Sequence, residues 1–212
     1  MEKLNYHYQD AWRNTTTATC QSPIDVVAAD LVSGSPLRID WSNLQTSAVR
    51  KDEQVIGDQF FCDGQLLINE ESYDLVRFHI HDGYEHLWDG QDGPAELHLV
   101  FNRPDGGTFV LGVFLTLDEK ASALFEPVLN EKINQVNLQD FLPDNADEAV
   151  SYIGTLTTPP LKKDVQWLLL KEPLGINADD LATFTQVYPD NQREVQPVLN
   201  RAVSLHQIVT LS

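Results

Sequence analysis

Four of the six histidines in this chain of 212 residues fall between residues 79 and 98. His79 and His81 are two residues apart in Val-Arg-Phe-His-Ile-His, and alternate side chains of a β-strand share one face of the sheet. His98 lies in the next apolar segment, and neighbouring strands run about 4.8 Å apart. A third imidazole there can reach a metal ion that is held by the first two.

Three neutral imidazoles with an open fourth position are typical of a catalytic zinc site, where the metal acidifies a bound water. Glu96 lies two residues before His98 on the same strand face. Its carboxylate can accept the outer ring N–H of His98 and so fix the tautomer. Two alternatives stay open. The first is that the His-x-His pair is simply an exposed polar face of the strand. The second is the metal motif of cupins, which resembles the set His79, His81, Glu85, His98 and Asn102.

Four segments rich in β-branched and aromatic residues predict the strands that position these side chains. They are residues 75–81, 95–102, 109–117 and 165–170. We predict one helix at 118–134, which Pro127 breaks or kinks. A second is predicted at 178–188, with Asn177 as its N-cap. The chain therefore reads as one β-rich domain over residues 1–212, with few and peripheral helices.

Composition narrows the class of function. Hydrophobic residues make up 42% and charged residues 22%, as in ordinary soluble domains. No apolar run reaches the roughly 18 residues that span a bilayer, so we expect no membrane insertion. Fourteen Lys and Arg against 32 Asp and Glu give a net charge of −18. A nucleic-acid partner is excluded on this ground, because such binders neutralise phosphates with basic side chains.

The cysteines and the first residues bear on the cellular compartment. Cys20 and Cys62 are too few for a disulfide framework, and two free thiols are the simpler interpretation. The first seven residues lack the apolar stretch of a signal peptide. A cytoplasmic location is therefore expected if Met1 is the natural start. A periplasmic or secreted location is expected if a signal peptide was removed.

Segments outside the histidine region, taken together with those inside it, form a series of motifs along the chain. Gln-Ser-Pro-Ile-Asp at 21–25, Phe-His-Ile-His and Tyr-Glu-His within 78–86, and Glu-Leu-His-Leu-Val at 96–100 follow in order. Gly-Thr-Leu-Thr-Thr-Pro-Pro at 154–160 and Asn-Gln-Arg-Glu-Val-Gln-Pro at 191–197 complete the series. Together, at these spacings, they resemble α-class carbonic anhydrases. The compact loop from His81 to Glu85 resembles the bacterial members.

This resemblance implies a fold and a reaction. The fold is mainly β (α+β), with a central twisted sheet of about ten strands, mostly antiparallel, and short peripheral helices. The implied cofactor is Zn²⁺, held by His79, His81 and His98. The implied enzyme is a carbonic anhydrase, a zinc lyase in which zinc-bound hydroxide attacks CO2 to give bicarbonate and a proton. A homodimer is suggested only because bacterial relatives often form one.

The resemblance also assigns roles to further residues. Thr157 would accept a hydrogen bond from the zinc-bound hydroxide, and Glu85 would accept one from the Thr157 hydroxyl. The backbone carbonyl of Asn191 would orient His81, and Glu96 would hold His98. His86 matches a buried structural histidine. The pocket for CO2 and bicarbonate would be lined by Val100, Val110, Leu156, Thr158, Val165 and Trp167.

Two departures from the family pattern affect the expected chemistry. Gln65 stands at the position matched to the proton-shuttle histidine, and glutamine does not titrate. Hydration limited by proton release and sensitive to buffer is therefore expected, unless His7 takes the role. Arg77 replaces a glutamine that accepts the ring N–H of the first zinc histidine, and arginine offers donors only.

A catalytically weak, carbonic-anhydrase-like binding module is the alternative from a different functional class. Such relatives lose a zinc histidine. The retention of all three, together with Thr157 and Glu85, argues against that interpretation.

Overall fold

The computed structural model describes residues 4–15 and 18–211, so Met1, on which the expected location depends, lies outside it. Strands dominate the described residues. They are β1 Asp25–Val26, β2 Val32–Ser33, β3 Leu37–Asp40, β4 Thr46–Ala48, β5 Arg50–Gln54, β6 Gly57–Ile68, β7 Glu71–Asp82, β8 Leu87–Trp88, β9 Ala95–Asn102, β10 Thr108–Leu117, β11 Gln135–Asn137, β12 Glu148–Thr155, β13 Lys163–Ile176 and β14 Ser204–Thr210.

Ten of the described strands form one sheet, in the order β12-β13-β10-β9-β7-β6-β3-β14-β2, with β5 paired to β6. β12 also pairs with β14, so the first strand of this order is joined to the second strand from its other end. Most pairs are antiparallel, whereas β10 and β13 run parallel. The predicted fold class, a mostly antiparallel sheet of about ten strands, is confirmed.

The alternation of side chains on β7 decides which face carries chemistry. Phe78 and Ile80 are buried in the larger hydrophobic core, on one side of the strand. His79 and His81 alternate with them and point to the other side. A smaller core that contains Val100 and Trp167 covers that side. The four predicted strands lie within β7, β9, β10 and β13.

The helices are short. The α-helices are α1 Glu126–Leu129 and α2 Ala178–Val187, and 3-10 helices cover Tyr6–Thr15, Ala28–Asp30 and Leu138–Phe141. The second predicted helix is confirmed as α2, with Asn177 as its N-cap, because the Asn177 side chain accepts a hydrogen bond from the backbone N–H of Asp180 at 2.9 Å.

The prediction of a long helix at 118–134 is wrong. Only α1 is helical within this range. The buried carboxylate of Asp180 accepts the backbone N–H groups of Leu124, Phe125 and Glu126 at 2.7–2.9 Å, so the helix begins there, with Pro127 in its first turn. Glu131 then adopts φ 54, which ends the helical path.

Both cysteines are free thiols, with Cys20 half-buried and Cys62 buried. Burial, together with the nearby Asp63, raises the pKa of the Cys62 thiol to about 12. Within the described residues, no helix is long and apolar enough to cross a membrane.

Candidate metal centre and active site

Three imidazoles meet where β7 and β9 pair. His79 lies directly opposite His98 in the antiparallel register, and His81 follows two residues later on the same face. Nε2 of His79 is 3.3 Å from Nδ1 of His98. The nearest ring nitrogens of the three histidines all lie within 4.8 Å of one another. His81 and His98 are buried, and His79 is half-buried.

The outer nitrogens of two rings are held by acceptors that fix their tautomers. Nε2 of His98 donates to Oε1 of Glu96 at 2.7 Å. Nδ1 of His81 donates to the backbone carbonyl of Asn191 at 2.7 Å. Nδ1 of His98 and Nε2 of His81 are then free of protons and face each other. Nε2 of His81 is buried with no hydrogen-bond partner among the described residues.

This donor set fits a zinc ion. Nitrogen ligands suit Zn²⁺, and three histidines that leave a fourth position open are the pattern of catalytic zinc sites. Burial lowers the pKa of His79 well below its usual value, and the neighbouring His81, His98 and Arg77 lower it further. Burial also lowers the pKa of His81, although Glu85 opposes this. His79 and His81 are therefore neutral near pH 7, as histidines that bind a metal must be.

Glu96 lies behind the metal ligands in a fully partnered network. Its Oε1 accepts hydrogen bonds from His98 and from Nδ1 of His86, both at 2.7 Å. Its Oε2 accepts the backbone N–H groups of Glu85 and His86 at 2.8 Å. Burial alone would raise the pKa of Glu96, but attraction to His86 and His98 and these hydrogen bonds hold it far below its usual range.

The network continues away from the metal position. The Tyr152 hydroxyl lies 2.6 Å from Nε2 of His86 and 2.9 Å from Oγ of Ser22. Nδ1 of His86 faces Glu96 and Nε2 faces the Tyr152 hydroxyl, so both ring nitrogens of His86 are held. His86 is thus a structural group, as predicted from the resemblance. The contribution of Tyr152 was not foreseen, since a tyrosine in a strand carries no such signal.

Glu85 is anchored by the C-terminal segment. Its Oε1 accepts the backbone N–H of Arg193 at 2.8 Å, and its Oε2 lies 3.3 Å from Nε2 of His81. The guanidinium of Arg193 in turn donates to the backbone carbonyl of Ser22 and to the side chain of Gln21. The expected hydrogen bond from the Thr157 hydroxyl to Glu85 is not present in the described residues. Thr157 is nevertheless buried and lines the cavity into which the three imidazoles open.

The acceptor expected for Nδ1 of His79 is absent from the described residues, and this nitrogen is buried without a partner. Arg77, two residues earlier on the same face of β7, donates its Nε to Oε1 of Gln59 on β6 at 2.6 Å. Arg77 therefore does not replace the glutamine that would accept the ring N–H of His79.

The three imidazoles open into a small cavity, here called the inner chamber, with a volume of about 20 Å³. Its apolar wall includes Val100, Val110, Leu156 and Trp167, beside Thr157 and Thr158. Val165, which was also predicted to line the pocket, does not do so. It is fully buried in the smaller core behind this wall.

A larger cavity of about 340 Å³, here called the outer chamber, adjoins the inner one. The two share walls formed by Tyr6, Ile56, Gly57, Tyr188 and Asn191. His7 and Asp190 line the outer chamber only. The N-terminal segment is held here by a hydrogen bond from the backbone N–H of Leu4 to the carbonyl of Val55.

The match of Gln65 to the position of the proton-shuttle histidine is wrong. Gln65 pairs with Asp74 on β7, five residues before His79, and its side chain donates to Asp74 at 3.2 Å. That separation is about 17 Å along a strand. The residues of β6 that reach the inner chamber are Gly57, Asp58 and Gln59. The carboxylate of Asp58 accepts from the Tyr188 hydroxyl and pairs with Lys51, both at 3.1 Å.

The fold and the site define a class of protein: a mainly antiparallel sheet that carries three histidines and an apolar chamber. Comparison with known proteins gives the family. The sequence model described as "Eukaryotic-type carbonic anhydrase" matches residues 7–207, nearly the whole chain. The chain belongs to the carbonic anhydrase family. The cupin alternative is thereby excluded.

Individual relatives agree. A carbonic anhydrase of Nostoc sp. is 29% identical over 202 residues, covering 86% of this chain and 74% of the relative. One from Pectobacterium carotovorum is 28% identical and covers 90% of this chain and 81% of the relative. The α-carbonic anhydrase of Thermovibrio ammonificans, solved with the inhibitor sulfanilamide, has 27% identity and a TM-score of 0.74, and covers 93% of each chain.

Proposed function

We propose that this protein is a zinc enzyme that catalyses the reversible hydration of CO2 to bicarbonate and a proton. The observation that carries the proposal is the convergence of His79, His81 and His98 at the end of an apolar chamber of about 20 Å³. When bound, zinc supplies a Lewis acid that lowers the pKa of a water toward neutrality, as in other zinc carbonic anhydrases.

The chain's own residues bind and orient the reactants. Val100, Val110, Leu156 and Trp167 provide an apolar surface for CO2, which has no charge to solvate. Because this wall leaves room for little more than one small molecule, it excludes bulk water from the reaction. The Thr157 hydroxyl accepts a hydrogen bond from the attacking water and so directs a lone pair at the carbon of CO2. Glu85, whose Oε2 is buried without a hydrogen-bond partner among the described residues, is the acceptor proposed for the hydrogen bond of the Thr157 hydroxyl.

The surrounding residues hold the ligands in place. Glu96 accepts the Nε2 proton of His98, and the Asn191 carbonyl accepts the Nδ1 proton of His81. These contacts select the tautomers that leave a lone pair for the metal, and they make the imidazoles more basic. The outer chamber adjoins the inner one at Tyr6, Tyr188 and Asn191, and we propose it as the route by which the released proton leaves.

The test is a measurement of zinc content and of CO2 hydration by stopped flow. The wild-type protein should bind one zinc per chain and hydrate CO2 rapidly. His98→Ala should lose both properties. His206→Gln is the matched control, because His206 lies on β14 and contacts Ser151 and the carbonyl of Ser35 instead.

One outcome favours the second candidate, a binding module of the same family. A protein that holds one zinc per chain and yet does not hydrate CO2 would contradict the enzymatic proposal. In that case the first structural explanation for the missing activity would be Nδ1 of His79, which is buried without a partner among the described residues.

A further inference from the structure

Arg77 places a positive charge at the wall of the inner chamber. It lies on β7 opposite Phe61 of β6 and Val100 of β9. It lines the chamber together with His79, which follows it by two positions on the same face.

The hydrogen-bond partner that the described residues offer this guanidinium is the neutral side-chain oxygen of Gln59, at 2.6 Å from Nε. No carboxylate of the described chain lies within ion-pair distance of Arg77. The nearby acid of the chamber wall, Asp58, pairs with Lys51 at 3.1 Å. A guanidinium carries five N–H donors, so most of those of Arg77 remain for a ligand.

A half-buried cation without a negative partner needs compensation. Burial lowers the pKa of Arg77, yet arginine stays charged at every relevant pH. Taking a charge from water into a site without a counter-charge is costly. The chain as a whole carries a net charge of −18 and therefore repels anions. A small anion in the inner chamber would supply the missing partner.

We infer that Arg77 binds the bicarbonate ion in the inner chamber and so distinguishes it from CO2. The inference rests on the proposed function. The planar guanidinium matches two oxygens of the planar bicarbonate ion, as it does those of a carboxylate. CO2 is neutral and linear and gains little from the same contact. Arg77 therefore strengthens the binding of bicarbonate and leaves that of CO2 unchanged.

The test measures bicarbonate binding directly. Co²⁺ replaces zinc, and its visible spectrum reports the occupant of the open position while bicarbonate is titrated at constant ionic strength. Arg77→Gln should raise the Kd for bicarbonate about tenfold, the effect of losing one charge-assisted hydrogen bond. Arg77→Lys should recover part of the affinity. Arg38→Gln, which removes an exposed arginine on β3 and changes the net charge equally, should leave the Kd unchanged.

Steady-state kinetics of the zinc enzyme separate this role from a structural one. For Arg77→Gln, the KM for bicarbonate in dehydration should rise about tenfold while the KM for CO2 in hydration stays the same. Equal rises in both constants would overturn the inference, because they would indicate a general loss of geometry. Arg77→Met keeps a similar aliphatic stem and serves as the neutral variant if the glutamine variant fails to fold.

A bicarbonate Kd within about twofold of wild type in a neutral variant with an intact cobalt spectrum would also overturn the inference. In that case CO2 hydration by the wild-type enzyme would leave the proposed function standing. Failure of the wild-type protein to hydrate CO2 would instead remove both.

Discussion

The two ends of the inner chamber are built in opposite ways. Behind the metal ligands, the two oxygens of Glu96 accept four N–H groups, and every donor is buried. The other end, here called the mouth, includes His79, Arg77 and the wall shared with the outer chamber. Within the described residues, Nδ1 of His79 is buried without a partner there, and Arg77 bonds only the neutral amide of Gln59. The inner end fixes the geometry of the imidazoles before a metal arrives. The mouth keeps polar groups available for molecules that enter and leave.

Glu96→Gln tests the inner end and should give the largest effect. The new NH2 group would face the backbone N–H groups of Glu85 and His86, which now donate to Oε2. We expect zinc affinity to fall about 10- to 100-fold and the free energy of unfolding to fall by about 2–3 kcal/mol. Competition with a chelator and urea denaturation measure these two quantities. Glu194→Gln, an exposed acid, should change neither, and an unaltered zinc affinity in Glu96→Gln would contradict the assigned role.

The pH dependence of the metal-free protein probes the same end. The pKa values of His79 and His81 are lowered in the folded state. Below the unfolded value of about 6.5, the unfolded chain therefore binds protons that the folded chain does not. Stability should fall as pH drops from about 7 to 5, by up to about 1.4 kcal/mol per pH unit for each such histidine. Urea midpoints across this range measure the slope, which His79→Gln should reduce. A flat profile would contradict the lowered pKa values.

Proton release tests the mouth. Apart from the three ligands, no histidine of the described chain lines the inner chamber, whereas His7 lines the outer one. The maximal hydration rate should therefore rise several-fold with the concentration of imidazole buffer, because an external base replaces an inner relay. His7→Gln should lower the rate in dilute buffer by about two- to threefold and leave it unchanged in concentrated buffer. A rate independent of buffer would contradict this picture.

The smallest effect on stability is expected at Tyr188, in the wall that the two chambers share. Tyr188→Phe removes the hydroxyl that donates to Asp58 at 3.1 Å, next to the ion pair with Lys51. The loss should be about 1 kcal/mol in the free energy of unfolding, as for one hydrogen bond. Zinc affinity should not change, because the hydroxyl that is removed bonds Asp58, which is not one of the three histidines. Tyr8→Phe, at a tyrosine that is 70% exposed, is the control. A change in zinc affinity in Tyr188→Phe would contradict this expectation and would show that the wall shared with the outer chamber influences the three histidines.

The features that local periodicity determines could be predicted from the sequence. The two-residue spacing of His79 and His81 placed both rings on one face of a strand, and Asn177 marked the start of α2. The helix predicted at 118–134 failed because its true start is set by Asp180, more than fifty residues later, which accepts three backbone N–H groups. No local pattern contains that contact.

Gln65 was misplaced for a related reason. Matching residues along the chain assumes a constant register between strands, whereas the β6–β7 pairing is shifted between Phe61 and Gly64. Tyr152 and Arg193 were missed as contributors because their partners, His86 and Ser22, lie 66 and 171 residues away in the chain. Only the assembled sheet brings these groups together.

The sizes of the two chambers have a kinetic consequence. An inner space of about 20 Å³ behind an outer one of about 340 Å³ admits molecules one at a time. Water, CO2 and small anions can exchange without rearrangement of the wall. An aromatic inhibitor is larger than the inner space, so we expect its binding to require movement of the chamber wall, which includes Tyr6 and Tyr188. Its association rate should then report the opening of that wall, so that small and large ligands of equal affinity bind with different time courses.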